Sequence, residues 1–313
     1  MEIATTTRSS TFAPEMLISA RSVSSIERAL VGSLRNKPPY ADGTIEELIQ
    51  DYEPISLEET NKKSRMLKRV DNKYVLRRDE LRKILDGLQD DFAVLEIDGV
   101  KEFTYSSCYF DDNFTSYYEH HQGKRLRFKI RQRHYVDSGE LYFEVKLKDK
   151  RGQTNKERIR CDVFRSPHPD EKCLEMLKAF YRRLYKKEFK LDVSPALIVN
   201  CKRCTLVSLA GGERITIDYC LNFDSMTGSN VSIGNDFIIV ETKSADGKGK
   251  ADVLLKKNGI RQAKKLSKYC LGAALTGRVT KYNYFRPNLK RMMENVVDYQ
   301  NGSPAYHEVS VGG

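Results

Sequence analysis

The chain has 313 residues and a formal net charge of +11 at pH 7, from 54 Lys or Arg against 43 Asp or Glu. Its length allows one large β-rich core or two ordinary ones, and its charge favours an anionic partner such as nucleic acid, a phospholipid surface or a phosphate compound. The sequence has no apolar run near the ~20 residues of a membrane span and no secretory signal, so we expect a cytoplasmic protein.

Neither the cysteines nor the histidines suggest a metal centre or a nucleophilic triad. Cys201 and Cys204 form a CxxC pair, but no second pair completes a zinc site, so we expect reduced, structural thiols. His134 follows the most basic segment and is interpreted as a surface residue. The chemistry must therefore come from other residues.

The N-terminal part of the chain carries little periodic pattern. Residues 1–64 are predicted to form an extension, either disordered or packed on the main domain, with short helices at 25–34 and 44–52. Thr44 and Glu47 would form a capping box in the second helix. The domain proper is predicted over residues 65–290, and residues 291–313 form a predicted tail.

The first elements of the domain are predicted from apolar clusters and helix caps. In chain order they are an apolar triplet at 74–76, a helix at 80–88 capped by Asp79, a strand at 103–110 and a helix at 115–121.

Three consecutive segments then alternate charged and apolar residues with the period of a β-strand. In the first segment the cations would share one face, while Leu126, Phe128 and Ile130 line the other. The second segment repeats the pattern and adds a carboxylate, and the third follows after a turn. The predicted charged faces comprise Arg125, Arg127, Lys129, Arg131 and Arg133; Tyr142, Glu144, Lys146 and Lys148; and Thr154, Lys156, Arg158 and Arg160.

This alternation has two interpretations. A solvated outer face of an antiparallel sheet is the ordinary one. However, like charges opposite each other across strands are destabilising unless an anion lies between them. Because residues 125–133 contain almost no acidic partners, the pattern favours a polyanionic ligand.

The remaining elements extend the same sheet. The pattern predicts a helix at 171–187, a hairpin of 196–209 and 213–222, a strand at 236–243, and a final helix at 258–275.

Carboxylates recur on the polar faces of the later strands. Asp218 shares a face with Arg214, and Glu241 shares a face with Lys243. Such strands closed on themselves would give an α+β fold, an antiparallel β-barrel with a polar interior and surrounding helices. Its cations would hold phosphate oxygens, and its carboxylates would hold a divalent metal that bridges the same oxygens.

Eight short motifs, in order over residues 65–285, resemble the catalytic domain of the vacuolar transporter chaperone (VTC) family. These polyphosphate polymerases belong to the triphosphate tunnel metalloenzymes, and the chain is similar to their stand-alone bacterial form. The motifs are Asp71-Asn72-Lys73-Tyr74, Lys129-Ile130-Arg131-Gln132-Arg133, Glu144-Val145-Lys146, Lys156-Glu157-Arg158, Arg203, Arg214-Ile215-Thr216-Ile217-Asp218, Glu241-Thr242-Lys243 and Lys265-Leu266-Ser267-Lys268.

The resemblance implies a tunnel that transfers the terminal phosphate of ATP to inorganic polyphosphate, with Mn²⁺ or Mg²⁺ as cofactor and pyrophosphate or triphosphate as further ligands. The chain departs from the family at Cys201, because the family often has Tyr at this position. The tyrosine hydroxyl would give one hydrogen bond to phosphate that Cys201 weakens. The implied catalytic residues are Lys73, Arg131, Arg133, Lys146, Arg203, Arg214 and Lys268. The implied substrate-binding residues are Lys129, Lys148, Lys156, Arg158, Lys243, Lys265 and Ser267, and the metal ligands are Glu241, Glu144 and Asp218.

Three alternatives remain open from the residues alone. A triphosphate hydrolase on the same fold would need the same metal and cations. A non-catalytic polyphosphate binder would keep the cations and have no need of Glu241. A nucleic-acid-binding sheet would use Phe128, Tyr135 and Tyr142 between its cations, but it would leave the carboxylates unexplained.

Overall fold

The computed structural model describes residues 45–63, 69–300 and 309–310. None of the helices in these ranges is long and apolar enough to cross a bilayer. The α-helices are α1 (Leu57–Lys63), α2 (Arg78–Asp86), α3 (Thr115–His121), α4 (Glu171–Tyr185), α5 (Lys250–Lys257), α6 (Lys268–Leu275) and α7 (Arg286–Met293), and short 3₁₀ helices cover Glu46–Leu48, Gln89–Asp91, Val136–Ser138 and Asn283–Phe285.

The strands alternate with these helices along the chain. They are β1 (Pro54–Ile55), β2 (Val70–Leu76), β3 (Phe92–Leu95), β4 (Phe103–Asp111), β5 (Arg127–Tyr135), β6 (Glu140–Lys148), β7 (Thr154–Arg160), β8 (Val163–Phe164), β9 (Ser194–Ser208), β10 (Arg214–Ser225), β11 (Asn230–Ile233), β12 (Ile238–Ser244), β13 (Val296–Gln300) and β14 (Val309–Ser310).

One large sheet, antiparallel apart from the short β1–β3 pair, organises the domain. Its main path runs β2-β12-β10-β9-β4-β5-β6-β7, so β2 and β7 are the two ends. In a flat sheet β2 and β5 would lie about 24 Å apart, at ~4.8 Å per strand. Yet one short segment, residues 263–268, contacts both strands and a strand between them. The Ala263 N–H donates to the Lys73 carbonyl on β2 at 2.7 Å, Lys268 donates to Asp218 on β10 at 2.6 Å, and Lys129 on β5 donates to the Ser267 hydroxyl at 3.1 Å. The sheet therefore curls into a half-barrel.

Helices cover the convex face of this half-barrel in two places. Leu177 and Phe180 of α4 pack on Phe128 and Phe143, the apolar side of β5 and β6. Elsewhere α2 and α5, together with residues 45–52, pack on the apolar side of β10 and β12. The alternation in the strand sequences thus places their apolar residues under helices and leaves the charged rows on the concave side.

The concave face is divided into an apolar part and a charged part. In the apolar part, α6 and α7 pack against Leu197, Val199 and Phe223. A bulge between Tyr219 and Asn222 shifts the register of β10, so the polar run that ends at Asp218 gives way to an apolar inner row. Helix α6 begins at the boundary, and its N-terminal residues face the charged part.

Most predicted elements are confirmed. The α+β class, the antiparallel sheet with surrounding helices, the three charged strands, the hairpin of β9 and β10, the strand β12 and the helices α3 and α4 all lie where the pattern predicted them. The half-barrel is open rather than closed by hydrogen bonds, because no pairing joins β2 to β7 in the described ranges. Arg125 precedes β5 and is exposed, so it is not part of the charged row.

The predicted final helix over 258–275 is wrong. The chain leaves α5 at Gly259, whose φ of +75° is the left-handed region that ends helices. Residues 258–267 then cross the sheet, where the Ala263 N–H donates to the Lys73 carbonyl at 2.7 Å. A new helix, α6, begins at Ser267, whose hydroxyl accepts from the Cys270 N–H at 3.3 Å. A backbone contact between distant segments therefore overrides the local helical pattern.

The helix predicted at 80–88 begins earlier, at Arg78, so Asp79 is not its cap. Asp79 instead pairs with the Arg77 guanidinium at 3.1 Å, and the Glu80 carboxylate accepts from the Arg77 N–H at 2.8 Å. The predicted helix at 25–34 and the Thr44 cap lie outside the described residues. The rest of the predicted 44–52 helix contains only the 3₁₀ turn Glu46–Leu48.

Strands β3, β11 and β13 were not predicted. β13 (Val296–Gln300) pairs with β11, so part of the predicted tail joins the sheet. Ile45, Ile49 and Tyr52, from the predicted extension, are buried in the core beneath α2. The boundaries at 64 and 290 stay predictions.

Candidate functional site

The charged part of the concave face forms a cationic groove. Strand β5 contributes its alternate residues Lys129, Arg131 and Arg133, and the strands on either side contribute theirs by the same alternation. The boundary of the groove with the apolar part is the N-terminus of α6. The other groove residues are Lys146, Lys156, Arg158, Arg203, Arg214, Lys243, Lys73, Lys268 and Ser267, with the carboxylates Glu144, Asp218 and Glu241.

Glu144 lies between two cations and is 1% exposed. It accepts from Arg131 Nε at 2.8 Å and Nη2 at 2.5 Å, and it also pairs with Lys156 from the neighbouring strand. Burial opposes the charged form, but Arg131, Arg133 and Lys156 hold the pKa of Glu144 well below its usual range. The carboxylate is therefore fully engaged by the protein.

Asp218 has an equivalent environment on the other side of the groove. Arg203 donates to it in a bidentate pair, at 2.5 Å and 2.8 Å, and Lys268 of α6 donates to it at 2.6 Å. These two cations hold its pKa below the usual range despite its burial. This pair of contacts attaches the first residue of α6 to the sheet.

Glu241 differs from the other two carboxylates in exposure. Its Oε1 lies 2.7 Å from Lys243 Nζ and its Oε2 lies 3.3 Å from Lys73 Nζ. Burial opposes its ionisation, yet Lys243 and Lys73 hold its pKa well below the usual range. Its side chain is 19% exposed, whereas those of Glu144 and Asp218 are 1% and 2% exposed.

The donor chemistry fits a divalent cation at Glu241 better than at the other carboxylates. Mg²⁺ is usually held by one or two carboxylates together with substrate phosphates, rather than by an all-protein cage. Within the described ranges no three His, Cys, Asp or Glu residues come together as a ligand set. A metal at Glu241 would therefore have to complete its coordination with phosphate oxygens and water.

Several partly buried cations of the groove have no carboxylate partner in the described part of the chain. Lys129 donates to the Ser267 hydroxyl at 3.1 Å, and Arg133 Nε donates to the Ser107 hydroxyl at 3.3 Å. Arg214 Nε is buried and makes no hydrogen bond within the described ranges. No ion pair forms with Lys146 there either. Burying such charges is costly unless an anion neutralises them.

The pKa values of three groove cations are lowered mainly by burial and to a smaller extent by neighbouring positive charge. Burial and then Arg131 lower the pKa of Lys146 well below its usual value, against a smaller opposing effect of Glu241. Burial also lowers the pKa of Lys156, to about 8. Burial, followed by the charge of Arg69, lowers the pKa of Arg214. Each group would recover its usual pKa beside a bound anion.

Two predicted site residues lie at the edges of the groove. Lys148 lies opposite Arg127, one groove position further along the strands than the Lys129–Lys146 pair. Lys265 is exposed, and its ammonium lies over the Tyr284 ring, 3.9 Å from the centroid. Cys201 is buried in the groove wall, where Lys268 Nζ lies 3.4 Å from its Sγ. Every other predicted residue lines the groove directly.

The aromatic residues of β4 also line the groove, and they were not predicted from the sequence. Tyr105 lies between Arg133 and Arg203, whose guanidinium carbons are 5.3 Å and 4.9 Å from its ring centroid. Tyr109 accepts from Arg131 at 3.3 Å and stacks on Tyr269 of α6, with centroids 5.1 Å apart. The alternation of Tyr105, Ser107 and Tyr109 was the available signal, because it matches that of the charged strands.

One comparison with known proteins identifies a family for this chain. The profile of the VTC domain matches residues 68–276. No curated protein matches the chain.

The solved structures that match align over about two thirds of the chain and are distant in sequence. A putative adenylyl cyclase, HpAC1 from Hippeastrum, described as having a dominant triphosphatase activity, is 13% identical, with a TM-score of 0.40 over 66% of this chain and 95% of its own. The PH1012 protein from Pyrococcus horikoshii OT3 is 12% identical, with a TM-score of 0.35 over 64% and 98%. The PH1819 protein from the same organism is 15% identical, with a TM-score of 0.36 over 65% and 97%.

The VTC match spans more than half of the chain and contains almost every groove residue, from Lys73 on β2 to Lys268 at the start of α6. The groove thus lies within the matched region. The chain belongs to the VTC domain family.

Proposed function

We propose that this protein is a polyphosphate polymerase, which transfers the terminal phosphate of ATP to the end of an inorganic polyphosphate chain. The proposal rests on two observations, the membership of the chain in the VTC domain family and the composition of the groove. It also assigns a role to each of the groove residues.

The observation that carries the proposal is a row of three lysines on adjacent strands. Lys129, Lys146 and Lys156 lie directly opposite one another on β5, β6 and β7. Cβ atoms of such neighbours are about 4.5–5.5 Å apart, and like charges at that distance destabilise a sheet. The only carboxylate contact among the three is that of Lys156 with Glu144, in the part of the chain that the structure describes. A chain of phosphates supplies the missing negative charge.

The spacing along β5 suits an extended phosphate chain. Arg133, Arg131 and Lys129 succeed one another every second residue, about 7 Å apart. Arginine binds phosphate oxygens with its planar fork, whereas lysine acts as a point charge. We propose that Arg133, Arg131, Lys146, Arg203, Arg214, Lys73 and Lys268 position the reacting phosphates, and that Lys129, Lys156, Arg158, Lys243 and Ser267 hold the adjoining ones.

Phosphoryl transfer requires in-line positioning and neutralisation of charge more than covalent help from the protein. The groove residues provide fixed positive charge without a nucleophilic side chain. Glu241 would hold Mn²⁺ or Mg²⁺, which would supply further positive charge to the reacting phosphates when bound. In this proposal Glu144 and Asp218 are counter-ions that orient Arg131 and Arg203 rather than ligands of the metal.

Product analysis tests the proposal. The purified full chain is incubated with ATP, Mn²⁺ or Mg²⁺ and a short polyphosphate primer, and ADP, free phosphate and polymer length are measured together. A polymerase yields ADP and an equal amount of phosphate in lengthened polymer. Free phosphate in place of polymer would identify a hydrolase with the same groove. Tight polyphosphate binding without ADP would identify a binding protein.

A further inference from the structure

Two tyrosines at the outer end of the groove are not explained by the fold. Tyr135 ends β5 and Tyr142 lies in β6, both on the groove side and both partly exposed. In the described part of the chain, neither belongs to a hydrophobic core cluster or packs on one. Both are among the aromatic residues that a nucleic-acid-binding sheet would place between its cations. Phe128, the third residue noted there, is buried on the opposite face.

The two rings form part of an aromatic cluster with cations. Tyr135 and Tyr142 meet edge to face, with centroids 5.9 Å apart, and Tyr105 lies 5.1 Å from Tyr135. The Arg158 guanidinium covers one face of Tyr142, 4.4 Å from the ring centroid, and Arg158 is itself exposed. Because the rings of Tyr135 and Tyr142 are nearly perpendicular, at 86°, they form a partly exposed aromatic corner bordered by cations. A nucleobase can stack on the face of one ring or on the Arg158 guanidinium while it meets the other ring edge-on, since every base has a π-face.

The cluster is continuous with the proposed phosphate site. Tyr142 lies directly opposite Arg133, and Arg158 lies directly opposite Glu144, which pairs with Arg131. Along β5, Tyr135 is six residues from Lys129, which is about 20 Å in an antiparallel strand. That interval separates the aromatic end of the groove from the end closed by α6, and it contains Arg131 and Arg133.

We propose that Tyr135, Tyr142 and the Arg158 guanidinium form a base-stacking platform for the nucleoside triphosphate donor. The base stacks at this open end of the groove, and the triphosphate runs inward past Arg133 and Arg131, so that its terminal phosphate points towards Lys129 and Ser267. This inference rests on the proposed function, because it assigns the orientation of the donor in the same groove. Stacking reads no base edge, so other purine nucleotides should bind nearly as well as ATP.

Calorimetric titration separates the platform from the phosphate site. ATP and inorganic tripolyphosphate are titrated into the parent protein and into Tyr135→Ala, Tyr142→Ala and Tyr135→Phe. Each alanine variant should bind ATP about tenfold more weakly and bind tripolyphosphate within about twofold of the parent. Tyr135→Phe is the matched control, which keeps the ring and should bind ATP like the parent. Equal losses for ATP and tripolyphosphate, or no loss for ATP, would overturn the platform.

A fluorescence titration gives a second readout that does not depend on affinity. The chain contains no tryptophan, so Tyr142→Trp introduces a single reporter. Its emission should be quenched by ATP and GTP and should not change with tripolyphosphate. An identical response to ATP and tripolyphosphate would contradict stacking.

Three outcomes distinguish this inference from neighbouring ones. If an adenine oligonucleotide without a triphosphate bound as tightly as ATP and with the same tyrosine dependence, the cluster would be a nucleic-acid surface and the inference would be wrong. If the parent protein bound neither ATP nor tripolyphosphate, the proposed function would fail and the inference with it. If the parent and the tyrosine variants bound ATP and tripolyphosphate with the same affinities, the platform would be refuted and the proposed function would stand.

Discussion

Replacing Glu144 with Gln tests whether this carboxylate is a structural counter-ion. Glu144 is 1% exposed, accepts two hydrogen bonds from Arg131 and pairs with Lys156. Gln keeps the shape but leaves both cations uncompensated beside Lys146 and Arg133. Removing one partner of a buried ion pair costs about 3–5 kcal/mol of unfolding free energy. For 313 residues with an unfolding entropy of about 2.1 cal/mol/K each, the melting temperature should fall by about 5–8 °C.

The assay is thermal and urea unfolding of the ligand-free protein, with Glu157→Gln as the matched control. Glu157 lies in the next strand, where its side chain is 30% exposed and pairs with Arg183, whose side chain is 64% exposed. A pair of this kind contributes about 0–1 kcal/mol. Tripolyphosphate should raise the melting temperature of Glu144→Gln more than that of the parent, because phosphate oxygens replace the missing carboxylate.

The effect of Glu144 should also depend on pH in a defined direction. Its pKa in the folded protein lies below the usual value of 4.5, so its stabilising contribution is complete above that value and is lost as the pH falls further. The parent and Glu144→Gln should therefore differ fully near pH 7 and converge in acid. A loss no greater than that of Glu157→Gln at pH 7 would refute the counter-ion role and leave metal binding as the better account of Glu144.

Three further predictions concern the groove. Glu241→Gln should reduce turnover more than tenfold, which corresponds to an increase of the activation barrier above ~1.4 kcal/mol. Binding of tripolyphosphate without metal should survive or tighten in this variant. A turnover rate near that of the parent across a Mn²⁺ titration would make Glu241 only an ion-pair partner of Lys73 and Lys243. Lys146→Met should abolish polymer synthesis while the ligand-free melting temperature holds or rises, because Lys146 is buried among like charges; a large fall in melting temperature would show that Lys146 is structural. Because burial lowers the pKa of Lys156 to about 8, this lysine loses its charge in the empty groove as the pH rises through that value, so tripolyphosphate affinity should decrease there. Lys156→Arg, which stays charged, should show a weaker pH dependence in calorimetry, and an equal dependence would place the titrating group elsewhere.

The sheet and its two faces could be predicted from the sequence because strand geometry is local. Successive side chains of a strand point to opposite faces, so the alternation of Phe128 and Ile130 with Lys129 and Arg131 is enough to define a buried side and a charged side. The same reasoning identified almost all of the groove cations. It did not extend to Tyr105 and Tyr109, although their strand alternates in the same way.

The role of each charge was decided by the tertiary structure, because it depends on contacts between residues that are distant in the chain. Register places Glu144 opposite Arg131 and Asp218 opposite Arg203, and α6 adds Lys268 to Asp218. Three carboxylates that resemble one metal site in the sequence thus lie in three separate clusters, and each of them pairs with two cations. Whether a carboxylate binds a metal or neutralises a neighbour is a matter of distance and desolvation, and both are set only when the sheet curls and α6 packs inside it.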